Sequence, residues 1–275
     1  MKGWWLATME TISSLSNLKG RNGLITGAGG ALGRVIAETL AELGADLILV
    51  DKPQVDLESI ALELSQRWGV GVKKFYVDLE IQSQRVDLIS KINTSEDSLS
   101  ILINNAAFVG TTELTGWSVG FEKQSLDSWR SALEVNLISV FDICQGLFPI
   151  LNKSLGSNIV NIASIYGTYA PDWRLYKGTQ MGNPAAYAVS KAGLIQLTRW
   201  LSTTIAPKVR VNAVSPGGIF RNQAPEFVSR YESRTPLERM ASEDDLRGAI
   251  AYLTSDLSKY VTGQVISVDG GWGIW

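Results

Sequence analysis

The chain has 275 residues, 45% of them apolar and 19% charged, which suits one large α/β domain or two small ones around a sizeable core. A net charge of −2 leaves no basic excess for a phosphate backbone, so nucleic acid is not an expected partner. Histidine is absent, which excludes a His general base, a Ser-His-Asp triad and any His-ligated metal. No metal site is expected, and an acid/base group has to come from Tyr, Lys, Asp, Glu or Cys.

The N-terminus, MKGWWLATMETISS, is interrupted by Thr8, Glu10 and Thr11 before a signal-type apolar core develops. Residues 1–19 read as a surface extension and residues 20–275 as one domain. No apolar run approaches the length that spans a bilayer, so the expectation is a cytoplasmic protein without a membrane partner. Short apolar runs then alternate with longer amphipathic stretches. Strands are predicted at 23–26, 46–50, 72–77, 101–103, 159–163, 209–214 and 265–268. Helices are predicted at 31–43, 57–68, before 101, and at 127–151, 184–205 and 243–253. Pro184 suits a first helical turn. Cys144, the only cysteine, falls in an apolar helical pattern and reads as a buried structural thiol. This alternation predicts a doubly wound parallel sheet with helices on both faces, the Rossmann arrangement. Two long segments, 108–124 and 168–183, lack predicted elements and are candidate substrate-binding loops.

The first strand runs into TGAGGALG, Thr26 to Gly33. Glycines Gly27, Gly29, Gly30 and Gly33, with Leu32, permit a tight turn and close approach of the backbone to a pyrophosphate at a helix N-terminus. By itself the turn reads equally well as an ordinary strand-to-helix connection. Asp51 ends the second strand 18 positions after Gly33 (51 − 33), near the spacing of a carboxylate that accepts from adenosine ribose hydroxyls. It favours NAD over NADP, although the adjacent Lys52 is a cation able to tolerate a 2′-phosphate. Among the eight tyrosines only Tyr187 has Lys at i+4, Lys191, and the pair shares a helix face. A neighbouring ammonium and an oxidised nicotinamide favour the phenolate. Bringing a phenol from pKa ~10 to near neutrality takes roughly 3–4 kcal/mol. Ser164 sits at a strand's carboxyl end, where ligands of parallel sheets bind.

Together these motifs resemble the short-chain dehydrogenase/reductase family in its single-domain form, from about Gly20 to Gly271. TGAGGALG is similar to the family's TGxxxGxG. Asp78 and Leu79 are similar to its adenine-contacting pair, and Asn104-Asn105-Ala106-Ala107 to its NNAG. Asn136 in EVNL matches the catalytic-helix asparagine. Ser164 and YAVSK match the catalytic serine and YxxxK. Pro216-Gly217 and VTGQVISVDGGW match later motifs. The resemblance implies a catalytic set of Asn136, Ser164, Tyr187 and Lys191. Ser164 would polarise the substrate oxygen, Tyr187 exchange its proton and Lys191 lower the tyrosine pKa and hold the nicotinamide ribose. Asn136 would hold a water linking Lys191 to solvent. Gly27–Gly33 would receive the pyrophosphate, Asn105 and Ala106 line the adenosine ribose, and Ile219 reach the carboxamide. A homotetramer, or a dimer, built on the two long helices is implied. Four departures stand out: Ala31 for a glycine, Ala107 for the last glycine of NNAG, Arg221 where threonine is common, and a long gap between Ser164 and Tyr187. The gap carries Asp172, Trp173, Arg174, Tyr176 and Lys177, which read as a recognition loop for a polar substrate or equally as an exposed loop or subunit contact. Arg174, Lys177 and Arg221 hint at an anionic group such as that of a nucleotide sugar, and Trp117 at stacking on a sugar ring. The expected activity is secondary alcohol–ketone interconversion. The alternatives are an NADP-dependent ketoreductase, a non-catalytic NAD-binding sensor or assembly subunit, and a sugar-nucleotide epimerase or dehydratase.

Overall fold

The computed structural model describes residues 9–109 and 114–275. Its centre is a seven-stranded parallel sheet in the order β3-β2-β1-β4-β5-β6-β7. The strands are β1 (Asn22–Thr26), β2 (Asp46–Asp51), β3 (Val72–Tyr76), β4 (Ile101–Asn104), β5 (Asn158–Ile162), β6 (Arg210–Pro216) and β7 (Val265–Val268). Each lies within two residues of its predicted bounds. Alternate side chains on a strand face opposite sides of the sheet. Ile25, Leu47, Leu49, Ile101 and Ile103 therefore enter one core, under α2 (Ala31–Glu42), α3 (Leu57–Trp68) and α9 (Arg247–Thr254). Leu24, Ile48, Val50 and Leu102 enter the other. That core lies under α4 (Gln82–Ser95), α6 (Ser139–Leu151) and α7 (Ala185–Thr204). Burial on both faces explains why the central strands read as continuous apolar runs.

Three elements depart from the prediction. A short helix, α1 (Ile12–Ser16), precedes β1, and Leu18 behind it is fully buried in the first core. The helix predicted at 127–151 begins at Leu126. It runs as α5 (Leu126–Leu133), a π-helical turn (Glu134–Ile138) and α6. By length and composition Leu126–Leu151 is apolar enough to cross a membrane, contrary to the sequence expectation. Ile143, Cys144, Leu147, Ile150 and Leu151 pack into the second core, which accounts for its apolar character. Cys144 is buried there, and burial pushes its thiol up to about 12. Finally, α8 (Pro225–Arg234), absent from the prediction, starts with Pro225 in its first turn and buries Phe227 and Tyr231.

Candidate active site

The chain crosses from β3 at one edge back to β4 beside β1, so the winding direction reverses between β1 and β4. In such sheets the crevice outside this point takes the ligand. A cavity of about 640 Å³ opens there, along the carboxyl ends of β1, β2, β4, β5 and β6. Gly27, Gly29, Gly30, Leu32 and Gly33 floor it, with Ala31 as the first residue of α2. Gly27 and Gly33 are required by space. A Cβ on Gly33 would stand 2.0 Å from the Gly27 carbonyl oxygen, and one on Gly27 (φ +64°) 2.8 Å from Ala106 Cα. Ala31 needs no such allowance, because its side chain lines the cavity.

Several bonds lock this floor to the neighbouring strand. Asn105 Nδ2 donates to the carbonyls of Thr26 (3.0 Å) and Gly27 (2.9 Å). Thr26 Oγ1 accepts from the amides of Asn105 and Ala106, both at 3.1 Å. Thr26 was not singled out from sequence, although its place at the head of the glycine motif was visible. Asn104 turns the other way and donates to Asn161 Oδ1 at 2.8 Å, within the core. Ala107 lines the cavity. Asp51 Oδ2 accepts from Gly29 N at 2.8 Å, so the carboxylate stands beside the glycine turn at one end of the cavity. Lys52 does not stand free: its ammonium pairs with Asp78 at 3.2 Å. Asp78 and Leu79 line the same end. The Leu79 carbonyl accepts from the buried Arg85 at 2.6 Å, and that guanidinium also pairs with Glu134 and Asp142.

At the other end Ser164, Tyr187 and Lys191 converge. Ser164 follows β5 and caps a short 3₁₀ turn, its hydroxyl accepting from Tyr166 N at 3.2 Å. It also lies near the Tyr187 phenol and favours its ionised form. Lys191, one turn along α7, is buried beneath. Its ammonium donates to the Ile162 carbonyl at 2.7 Å and lies 5.9 Å from the Tyr187 ring centroid. Asn136 occupies the π-helical turn, a feature common at functional sites. Its Oδ1 accepts from Phe108 N at 2.6 Å and its Nδ2 donates to Ser190 Oγ at 3.0 Å. The asparagine thus ties the loop after β4 to α7. Pro216 ends β6. The Gly217 amide donates to Val268 O at 2.9 Å, and Ile219 follows, bridged to Ala241.

The electrostatics differ from the sequence expectation. Burial pushes the Tyr187 phenol above its ordinary value, while the Ser164 hydroxyl and the Arg221 guanidinium pull the other way. The burial that brings Tyr187 and Lys191 together also penalises the charged form of each. For Lys191, burial lowers the pKa from 10.5 to about 8. The unfolded chain therefore holds this proton between pH 8 and 10.5 while the folded chain sheds it. Stability from this group is lowest below pH 8 and rises with pH through that window. Lys191→Met should flatten the rise by on the order of 2 kcal/mol between pH 8 and 10, read from denaturant midpoints at each pH. Identical slopes in the two proteins would contradict the depressed value.

The two loop segments meet over Tyr187. Residues 110–113 of the first lie outside the described residues. Trp117, predicted as a stacking surface, is buried, donates from Nε1 to Val109 O at 2.6 Å and packs edge-on against Phe108. It forms wall rather than platform. In the second loop Arg174 is exposed and paired with Asp172, and Lys177 is exposed with its carbonyl accepting from Arg230. Neither lines the cavity. The loop is instead fastened by Leu175 and Tyr176, which pack against Phe227, Tyr231 and Trp272. Arg221 does line the cavity, with its guanidinium 3.1 Å from Glu243.

A family model described as enoyl-(acyl carrier protein) reductase matches residues 27–273. The chain belongs to the short-chain dehydrogenase/reductase family. Members act as NAD(P)-dependent oxidoreductases on CH–OH groups. The 3-oxoacyl-[acyl-carrier-protein] reductase FabG of Thermotoga maritima is 31% identical over 261 residues, which covers 92% of this chain and 98% of that one. A short-chain dehydrogenase of Leptospira borgpetersenii, solved with bound NAD+, is 31% identical with a TM-score of 0.81, over 96% of each chain. A gluconate 5-dehydrogenase of Burkholderia cenocepacia, solved with NADP and tartrate, is 26% identical with a TM-score of 0.81, over 96% of this chain and 99% of that one.

Proposed function

We propose that this oxidoreductase interconverts a secondary alcohol and a ketone on a polar, hydroxylated substrate, with NAD preferred over NADP. The convergence of Ser164, Tyr187 and Lys191 at one end of a glycine-floored crevice carries the reading. The cofactor fits on the floor's own terms, since a side chain at Gly27 or Gly33 would collide with backbone. Gly27, Gly29, Gly30, Leu32 and Gly33 would hold the pyrophosphate. Asp51, Asp78, Leu79, Asn105 and Ala106 would hold the adenosine end. Tyr187, Lys191, Pro216, Gly217 and Ile219 would hold the nicotinamide end. When bound, the nicotinamide supplies hydride exchange with the substrate carbon. The Ser164 hydroxyl donates to the substrate oxygen, and Tyr187 gives or takes the proton at that oxygen. Lys191 stands behind Tyr187 as its cationic neighbour, and Asn136 positions the strand–loop junction around it.

For the cofactor preference, the balance of charge is the supporting argument. Asp51 faces the glycine turn, and Asp78 neutralises Lys52. A 2′-phosphate there would meet two carboxylates and one paired ammonium. Asp51→Ser should raise the NADPH-to-NADH ratio of kcat/KM about tenfold or more, measured with one substrate. A ratio that stays put would remove Asp51 from cofactor choice.

We place residues 20–275, with Leu18 of the preceding segment packed into their core, in one catalytic domain of a cytoplasmic homotetramer. Exposed Ile138 and Phe141 near the π-helical turn, and Val189 and Trp200 on α7, offer the apolar faces for assembly. The test of function is NADH and NADPH absorbance with sugars, sugar nucleotides, hydroxy acids and acetoacetyl-CoA. Cofactor binding without turnover of any of these would favour a sensor.

A further inference from the structure

Beyond Tyr187, towards the 168–183 loop, lies a second cavity of about 230 Å³, walled in part by Trp117, Tyr166, Tyr176, Asn183 and Tyr187. Its polar lining is a compact network. The Tyr166 and Tyr176 hydroxyls are 2.6 Å apart, and the Asn183 side chain lines the same wall. Asn183 is only 6% exposed, and its Oδ1 has no partner. Burial holds both phenols in the neutral form, their pKa values raised above the ordinary one.

The hydrogens can be counted. Two phenols carry two O–H donors, and the bond between them uses one. One phenolic O–H and the unpartnered Asn183 amide oxygen remain in the wall of this cavity. An alcohol hydroxyl needs one donor and one acceptor, and an apolar group would leave both unmet. The network is also rigid. Tyr176 packs against Phe227 with ring centroids 5.3 Å apart, and Asn183 precedes Pro184, the N-cap of α7.

We propose that Tyr166, Tyr176 and Asn183 form a subsite for a second hydroxyl of the substrate, one separate from the oxygen held by Ser164 and Tyr187. The substrate class is then a polyhydroxylated ketone or alcohol. The inference rests on the carbonyl–alcohol reading above.

The experiment uses the full chain with NADH or NAD, taking the best sugar or hydroxy-acid substrate beside its single-deoxy analogues. The wild-type protein should lose about 100-fold in kcat/KM on one analogue, because a site built to bond a hydroxyl rejects the molecule lacking it. Tyr176→Phe keeps the ring and so the packing, and Asn183→Leu removes the orphan acceptor. In each variant the discrimination between parent and that analogue should collapse to a few-fold, with the loss falling on the parent. Equal losses on parent and analogue, or wild-type indifference to every missing hydroxyl, would overturn the subsite. Turnover of acetoacetyl-CoA but of no hydroxylated compound would overturn it too, while leaving carbonyl reduction intact. If NADH binds and nothing is turned over, the carbonyl–alcohol reading fails and the subsite with it.

Discussion

Tyr187→Phe should lower kcat by about 1000-fold while NADH binds with a Kd within threefold of wild type. The magnitude follows from general acid–base catalysis, which contributes roughly 10²–10⁴ when the proton donor is positioned. The ring is retained, so its packing beside Trp117 and Ala186 survives and the fold should not change. What disappears is the hydroxyl that meets Ser164. Single-turnover kinetics separate the proton step from product release. A variant with undiminished turnover would transfer the proton role to another group. Lys191, whose pKa burial lowers to about 8, would be the first candidate.

Gly33→Ala is the second large effect expected. The added methyl would sit 2.0 Å from the Gly27 carbonyl oxygen and 2.9 Å from Ala28 Cα. Both obstacles are backbone, and Gly27 itself is wedged against Ala106, so the turn cannot retreat. Overpacking of this kind costs about 2–3 kcal/mol. For a chain of this size that lowers Tm by roughly 5–10 °C. The NADH Kd should rise at least tenfold, since relief of the clash has to move the pyrophosphate floor. Gly248→Ala is the control, because nothing stands within 4 Å of its added Cβ. On α9 it should be neutral or stabilising by up to about 1 kcal/mol. Equal Tm changes for the two substitutions would show that the glycine turn is not tight.

The same asymmetry explains what could be read from the sequence. Strands buried on both faces announce themselves as apolar runs, and all seven were predicted close to their bounds. The glycine turn, Asp51 and the Tyr187–Lys191 pair were legible because short, regular spacings bring them together, within α7 for the pair and across one β-α-β unit for Asp51. Interactions between distant segments were not. That Lys52 would pair with Asp78, or that Arg174 would turn to Asp172 rather than to a ligand, depends on folded geometry. For Tyr187 the sequence offered the charges expected around the phenol, and the folded chain adds the extent of burial that raises it. Helix α8 was missed although Phe227, Val228 and Tyr231 carry helical spacing and Pro225 marks a first turn. The C-terminal GWGIW gave no sign of its destination. Trp272 is fully buried, stacked on Tyr231 and beneath Arg234.

That burial gives the two parts of the cleft different supports. The glycine turn and Asp51 are closed against β4 by Asn105. The wall of the second cavity leans through Tyr166 and Tyr231 on Trp272, a residue beyond the last strand. Trp272 is in this sense a keystone: loosening it would blur the place for substrate and leave the glycine crevice closed.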